Sequence, residues 1–191
     1  MGNIAQFGEF VVGGADTFQR FATNGDGSCA LHALFGKVTP ELADTDESRR
    51  PQLEIDNPMG KRQEIHTHLE ALLASGRSEK RDKVMARVEN LKLELLAGAG
   101  GAALVDGKTD EAILIDRFQI LRDKDGSDDA GQISRTEVQI IAILYDIPVM
   151  LLTKNGDNFD EVAVWRSEAN PTFAMVHSGG AHWEHWKIVT P

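Results

Sequence analysis

The sequence predicts an α+β fold, with helices early and a small β-sheet built mostly from the C-terminal half. Three observations predict it. Apolar residues recur at helical spacing through the middle of the chain: Ile65, Leu69 and Leu72; Val84, Val88, Leu91 and Leu95; Ile113, Phe118 and Leu121. Beyond Pro148 the apolar residues fall instead in short runs separated by Asn155-Gly156 and Gly179-Gly180 turns. Between these regimes, Ser134-Arg135-Thr136-Glu137 has the form of a capping box, the start signal of one more helix.

Taken in order, residues 1–22 are mixed, with Phe10-Val11-Val12 a short strand before Gly13-Gly14. A glycine-rich turn follows, and a helix is expected over about residues 29–36. Residues 37–58 carry Pro40, Pro51, Pro58 and many charges and read as a loop. The next two helical stretches are parted by Gly76 and Ser78, and Gly98-Ala99-Gly100-Gly101 closes the second. Joined by a short turn, they form an antiparallel helical hairpin, an insertion over about 59–100 in a single domain spanning 1–191.

A helix is expected over 110–121, followed by a polar loop over 122–131. That loop is acidic enough to suggest calcium. It fails the pattern, because Asp128 stands where the glycine belongs and Ser134 where the bidentate glutamate belongs. The capped helix runs through Val138, Ile141, Ala142 and Leu144, and Asp146-Ile147-Pro148 ends it. Strands are expected over 149–152, 161–165, 173–177 and 182–189, the first two joined by a hairpin turn at Lys154-Asn155-Gly156-Asp157.

Composition narrows the function. The net charge is −10 and the chain is 41% hydrophobic. Nucleic acid is not an expected partner, because phosphate binding relies on Lys and Arg. A basic protein surface suits this charge better. No apolar run is long enough to span a membrane. The first 20 residues have no basic start followed by an apolar stretch, so no secretory signal is expected. The single cysteine excludes an intramolecular disulfide and fits a reducing, cytoplasmic compartment. No metal or organic cofactor is expected, and the protein is expected to be a monomer.

That cysteine, Cys29, lies where Gly25-Asp26-Gly27-Ser28 runs into Ala30-Leu31-His32-Ala33-Leu34. A helix start carries unpaired N–H donors and partial positive charge, and both favour a thiolate. The same donors suit an oxyanion. A cysteine nucleophile needs an imidazole. Of the six histidines, His66 and His68 fall in the charged hairpin and read as solvated. His32 is one turn past Cys29 and reads as packing. In the last strand, alternation puts His182, Glu184, Trp186 and Ile188 on one face, and Trp183, His185, Lys187 and Val189 on the other. His182 has a carboxylate, Glu184, on its own face to orient it. It is therefore preferred over His185 and His177 as the base.

Residues Gly25 to Leu34 resemble the cysteine segment of the ovarian-tumour (OTU) cysteine proteases, which reads Asp-Gly-x-Cys-Leu-Phe-Arg/His-Ala. Residues 137–152 resemble the family's helix and strand before its C-terminal strands, and His182-Trp183-Glu184 resembles its His-aromatic-Asp/Asn motif. Order and spacing agree across nearly the whole chain. Ala30 stands where the family has a larger apolar residue, and Glu184 replaces Asp or Asn, leaving Asp26 as an alternative acid. The enlarged helical insertion is similar to that of bacterial, effector-type members, for which the compartment is the host cytosol.

The resemblance implies a papain-like OTU fold and a deubiquitinase. It implies that Cys29 attacks the carbonyl of the terminal glycine of ubiquitin or a polyubiquitin chain. His182 serves as base, Glu184 or Asp26 orients it, and backbone N–H groups of Asp26, Gly27 and Cys29 form the oxyanion hole. Gly179, Gly180 and Trp183 are expected to line the channel for the ubiquitin tail. Asp128 and Asp129 are expected to meet its arginines, and the hairpin to support the ubiquitin body. Two readings stay open beside this one: a papain-like protease for a ubiquitin-like modifier or peptide, and an inert ubiquitin-binding module.

Overall fold

The computed structural model describes residues 9–12, 16–23, 27–38, 52–98, 100–155, 158–165, 172–177 and 182–189. The fold is mixed α/β, and the chain divides into two compact units, Asn57–Asp146 and the two flanking segments Met1–Asp56 and Ile147–Pro191.

The unit formed by the flanking segments holds all the described strands: β1 (Glu9–Val12), β2 (Asp16–Thr23), β3 (Lys37–Val38), β4 (Gln52–Glu54), β5 (Val149–Asn155), β6 (Asn158–Trp165), β7 (Phe173–His177) and β8 (Trp183–Val189). Its one described helix is α1 (Cys29–Phe35). The sheet order is β3-β4-β2-β8-β7-β5-β6, with β1 also paired to β2. The β2–β4 and β5–β7 pairs are parallel. The rest are antiparallel, including the β5–β6 hairpin that the Asn155-Gly156 signal anticipated.

This corrects the expectation of a small C-terminal sheet. An N-terminal strand, β2, sits in the middle, with β8 on one edge and β1 and β4 sharing the other. Its sequence, Thr17-Phe18-Gln19-Arg20-Phe21-Ala22-Thr23, is rich in aromatic and β-branched residues, as a strand should be. Partners on both edges supply the pairing energy that the segment lacks alone.

The two faces of the sheet differ. On one, Leu152, Ala174, Val176 and Trp186 form a fully buried cluster against which Met150 and Ile188 pack. Burying an aromatic side chain such as Trp186 contributes about 4–6 kcal/mol gross. On the other, His185 stacks on Phe173 (ring centroids 4.3 Å apart) and meets Phe21 edge-on at 5.7 Å. This is the face that receives α1, since His185 Nδ1 lies 2.7 Å from the carbonyl oxygen of Ala33.

The helical unit comprises α2 (Pro58–Ala74), α3 (Glu79–Met85), α4 (Val88–Ala97), α5 (Ala102–Val105), α6 (Asp110–Asp123), a 3-10 turn at Asp129–Gly131, and α7 (Arg135–Leu144). The capping box of α7 forms as expected: Ser134 Oγ accepts from the Glu137 N–H, and Glu137 accepts from the Ser134 N–H. The expected two-helix hairpin does not stand apart. The second stretch breaks at Ala86-Arg87 into α3 and α4, and α2 packs chiefly along α6. Arg62, buried on α2, donates to the carbonyls of Leu121 and Gly131, each at 2.9 Å. An apolar face on α2 finds its partner in α6, so residues 59–100 belong to a larger helical body.

Two local expectations change with it. His66 is buried, 3.3 Å from Glu70 Oε2, rather than solvated. His68 is exposed and rests against the Tyr145 ring. No helix among the described residues is long and apolar enough to cross a membrane.

Candidate active site

Cys29 is the first residue of α1, and Ser28 precedes it as the N-cap. Gly27 holds φ at 79°, a left-handed conformation that favours glycine, and so turns the chain into the helix. The Ser28 carbonyl accepts from the N–H groups of Leu31 and His32, closing the first turn. His32, buried in that helix, accepts from the Ile55 N–H at Nδ1 (3.0 Å). It ties α1 to the chain beyond β4, which is the packing role expected of it.

The sulfur meets the start of β8. The Trp183 N–H donates to Cys29 Sγ at 3.4 Å, joining residues 154 positions apart. Cys29 as a whole is 5% exposed. An N–H aimed at sulfur favours the thiolate over the thiol, because the donor interacts more strongly with the charged form.

His182 immediately precedes β8 and is half-buried. Its Nε2 lies 3.5 Å from Thr23 Oγ1, and Thr23 also donates to the Trp183 carbonyl. Thr23 shares the α1-facing side of β2 with Phe21, which touches His185. Thr23 Oγ1 thus touches both the His182 ring and the backbone of Trp183, the residue whose N–H meets Cys29 Sγ. His182 lies outside β8, so strand alternation does not set its face. Cys29, Thr23, His182 and the Trp183 backbone thus form one group.

His185 shares the α1 face with this group but is already engaged. Its Nδ1 carries the hydrogen toward the Ala33 carbonyl, which only accepts. Burial pushes its pKa below the ordinary value near 6.5, and the Lys187 charge adds to that, while the bond to Ala33 opposes it. Its role is to anchor α1, not to remain a plain strand residue.

Glu184 is the second residue of β8. It lies on the opposite face, where its Oε2 accepts from Trp186 Nε1 at 2.8 Å. Residues two apart share a face only inside a strand, and His182 stands outside β8. The Trp183 side chain is 1% exposed, with its ring against His177 at 4.8 Å. It is thus a core residue, and its backbone N–H meets the sulfur. Asp26, Gly179 and Gly180 lie outside the described residues. Asp128 and Asp129 belong to the helical unit. Asp128 pairs with Lys124 at 2.9 Å and accepts from the Ala130 N–H, and Asp129 accepts from Gln132 Nε2.

Thr23 escaped notice in the sequence. Its signal was the aromatic and β-branched run ending directly before Asn24-Gly25, which marks the end of a strand beside the cysteine turn.

No family model matches the chain. No curated protein matches it either. Among solved structures, the crystal structure of the viral OTU domain protease from Farallon virus aligns with 90% of this chain and 85% of its own, at 16% identity and a TM-score of 0.44.

Proposed function

We propose that the protein is a thiol hydrolase, with Cys29 as nucleophile and His182 as base, that cleaves the isopeptide bond after the C-terminal glycine of ubiquitin or a ubiquitin-like modifier. One observation carries the reading: the Trp183 N–H on Cys29 Sγ, which brings the residue next to His182 onto the cysteine at the start of α1. The choice of ubiquitin as substrate rests on the resemblance of the Cys29 and His182 segments.

In this reading His182 takes the Cys29 proton and the sulfur attacks the glycine carbonyl. The oxyanion forms beside the N–H groups of Gly27 and Cys29, with Asp26 contributing from the same turn. Losing one such donor typically costs about 2.7–4 kcal/mol of barrier. Collapse breaks the C–N bond, and the imidazolium gives its proton to the departing lysine amine. Water then attacks the thioester as His182 removes its proton, and the free carboxylate and the thiol are released. The glycine tail is assigned to Gly179 and Gly180 on the resemblance alone.

Ubiquitin carrying a C-terminal electrophile tests this. A covalent adduct is expected on Cys29, absent in Cys29→Ala and much reduced in His182→Ala. Labelling by a ubiquitin-like probe instead would move the substrate. A folded protein that binds ubiquitin but forms no adduct, and leaves all eight diubiquitin linkages intact, would overturn the hydrolase reading.

A further inference from the structure

Thr23 ends β2, two residues beyond Phe21, the last residue of β2 that the register pairs with β8, opposite His185. Its other edge is held by β4, through pairing with Leu53. The residue is 6% exposed, so its hydroxyl must find its partners inside the protein. A hydroxyl has one hydrogen, and the Trp183 carbonyl only accepts, so the Thr23 hydrogen points there. What Thr23 Oγ1 offers His182 Nε2, 3.5 Å away, is therefore a lone pair. The contact exists only when Nε2 carries a hydrogen.

We infer that Thr23 is the positioning residue for His182: it holds the ring by its Nε2–H and leaves Nδ1 as the nitrogen that takes a proton. The inference rests on the reading of Cys29 and His182 as nucleophile and base. It gives Thr23 the task expected of Glu184, which lies on the other face with Trp186. A hydroxyl does that task differently from a carboxylate. It selects a tautomer and fixes the ring, but it adds no negative charge to stabilise the imidazolium. The same hydroxyl clamps the Trp183 carbonyl, and the N–H of that residue points at Cys29 Sγ. One side chain thus holds both the ring and the residue whose N–H meets the sulfur.

The test uses the full chain, labelled with 15N, in three forms: wild type, Thr23→Ser and Thr23→Val. Long-range 1H–15N spectra report which nitrogen of neutral His182 carries hydrogen, and iodoacetamide alkylation across pH reports the Cys29 thiolate. Wild type and Thr23→Ser are expected to hold a single Nε2–H tautomer and the same alkylation profile. Thr23→Val, equal in shape but without the hydroxyl, is expected to mix tautomers, displace the profile along the pH axis and slow alkylation at neutral pH roughly tenfold. An unchanged tautomer and profile in a folded Thr23→Val would overturn the inference while leaving the Cys29–His182 reading intact. Should that variant not fold, the wild-type spectrum decides, since hydrogen on Nδ1 overturns the inference and hydrogen on Nε2 supports it. A tautomer that depends on Thr23, beside a Cys29 as unreactive as a free thiol at every pH, would keep the Thr23 contact and reject the hydrolase.

Discussion

The Nδ1 of His185 lies 2.7 Å from the carbonyl oxygen of Ala33, one helical turn beyond Cys29. That bond, with the Phe173 ring stacked beneath it, pins α1 to β8 at the level of the sulfur. Replacing His185 with alanine leaves the Ala33 carbonyl without this donor and empties the slot between Phe21 and Phe173. A loss of about 2–4 kcal/mol in urea unfolding is expected.

The same histidine gives the fold a pH dependence of known sign. Burial lowers its folded pKa below the ordinary value near 6.5, so between the two values the unfolded chain binds the extra proton. Its contribution to stability is complete above the ordinary value and is lost as pH falls from there through the folded value. Unfolding free energies measured stepwise from pH 8 to pH 5 are expected to decline more for wild type than for His185→Gln. Equal slopes would remove His185 as the cause.

Glu184 is expected to matter for packing more than for chemistry. Glu184→Ala strands the buried Trp186 Nε1–H and should cost about 1–2 kcal/mol of stability. Glu184→Gln keeps an acceptor and should cost little. Neither is expected to change the rate of Cys29 alkylation at neutral pH. A fall of tenfold or more in Glu184→Gln would return the orienting role to the carboxylate.

In the helical unit, Arg117 and Glu137 form a buried ion pair, and Arg117 also donates to the carbonyls of Ala130 (2.6 Å) and Gln132 (2.8 Å). Glu137 serves in the α7 capping box at the same time. Removing one partner leaves a buried charge uncompensated, so Glu137→Ala is expected to cost about 3–5 kcal/mol by chemical denaturation.

On α4, Leu91 and Leu93 separate the core from the surface. Leu91 is fully buried and Leu93 is 68% exposed. Leu91→Ala should destabilise by about 2–5 kcal/mol. Leu93→Ser should stay within about 0.5 kcal/mol of wild type. Thermal melts of the two variants check the contrast.

Elements set by local chemistry were legible in the sequence. Helix α1 begins at Cys29 because the glycine turn ends there, and Gly27 adopts the left-handed backbone that such a turn needs. The Ser134 and Glu137 side chains cap α7 within four residues of each other. The β5–β6 hairpin follows its Asn-Gly signal. Each depends on neighbours along the chain, so spacing alone reveals it.

Tertiary pairing decided the rest. The strand β2 owes its place to β8 and β4, which lie far from it in sequence. The helix α2 was expected to fold back on its neighbour and instead packs chiefly along α6, with Arg62 bound to the carbonyls of Leu121 on α6 and of Gly131 in the 3-10 turn. The alternation that put Glu184 beside His182 holds only inside a strand, and His182 stands one residue outside it. The sequence by itself determined which residues carry reactive groups and where helices and turns begin, since those depend on nearest neighbours. That the Trp183 N–H meets Cys29 was decided by strand register and by the face that α1 covers, two properties that arise only when distant segments pair.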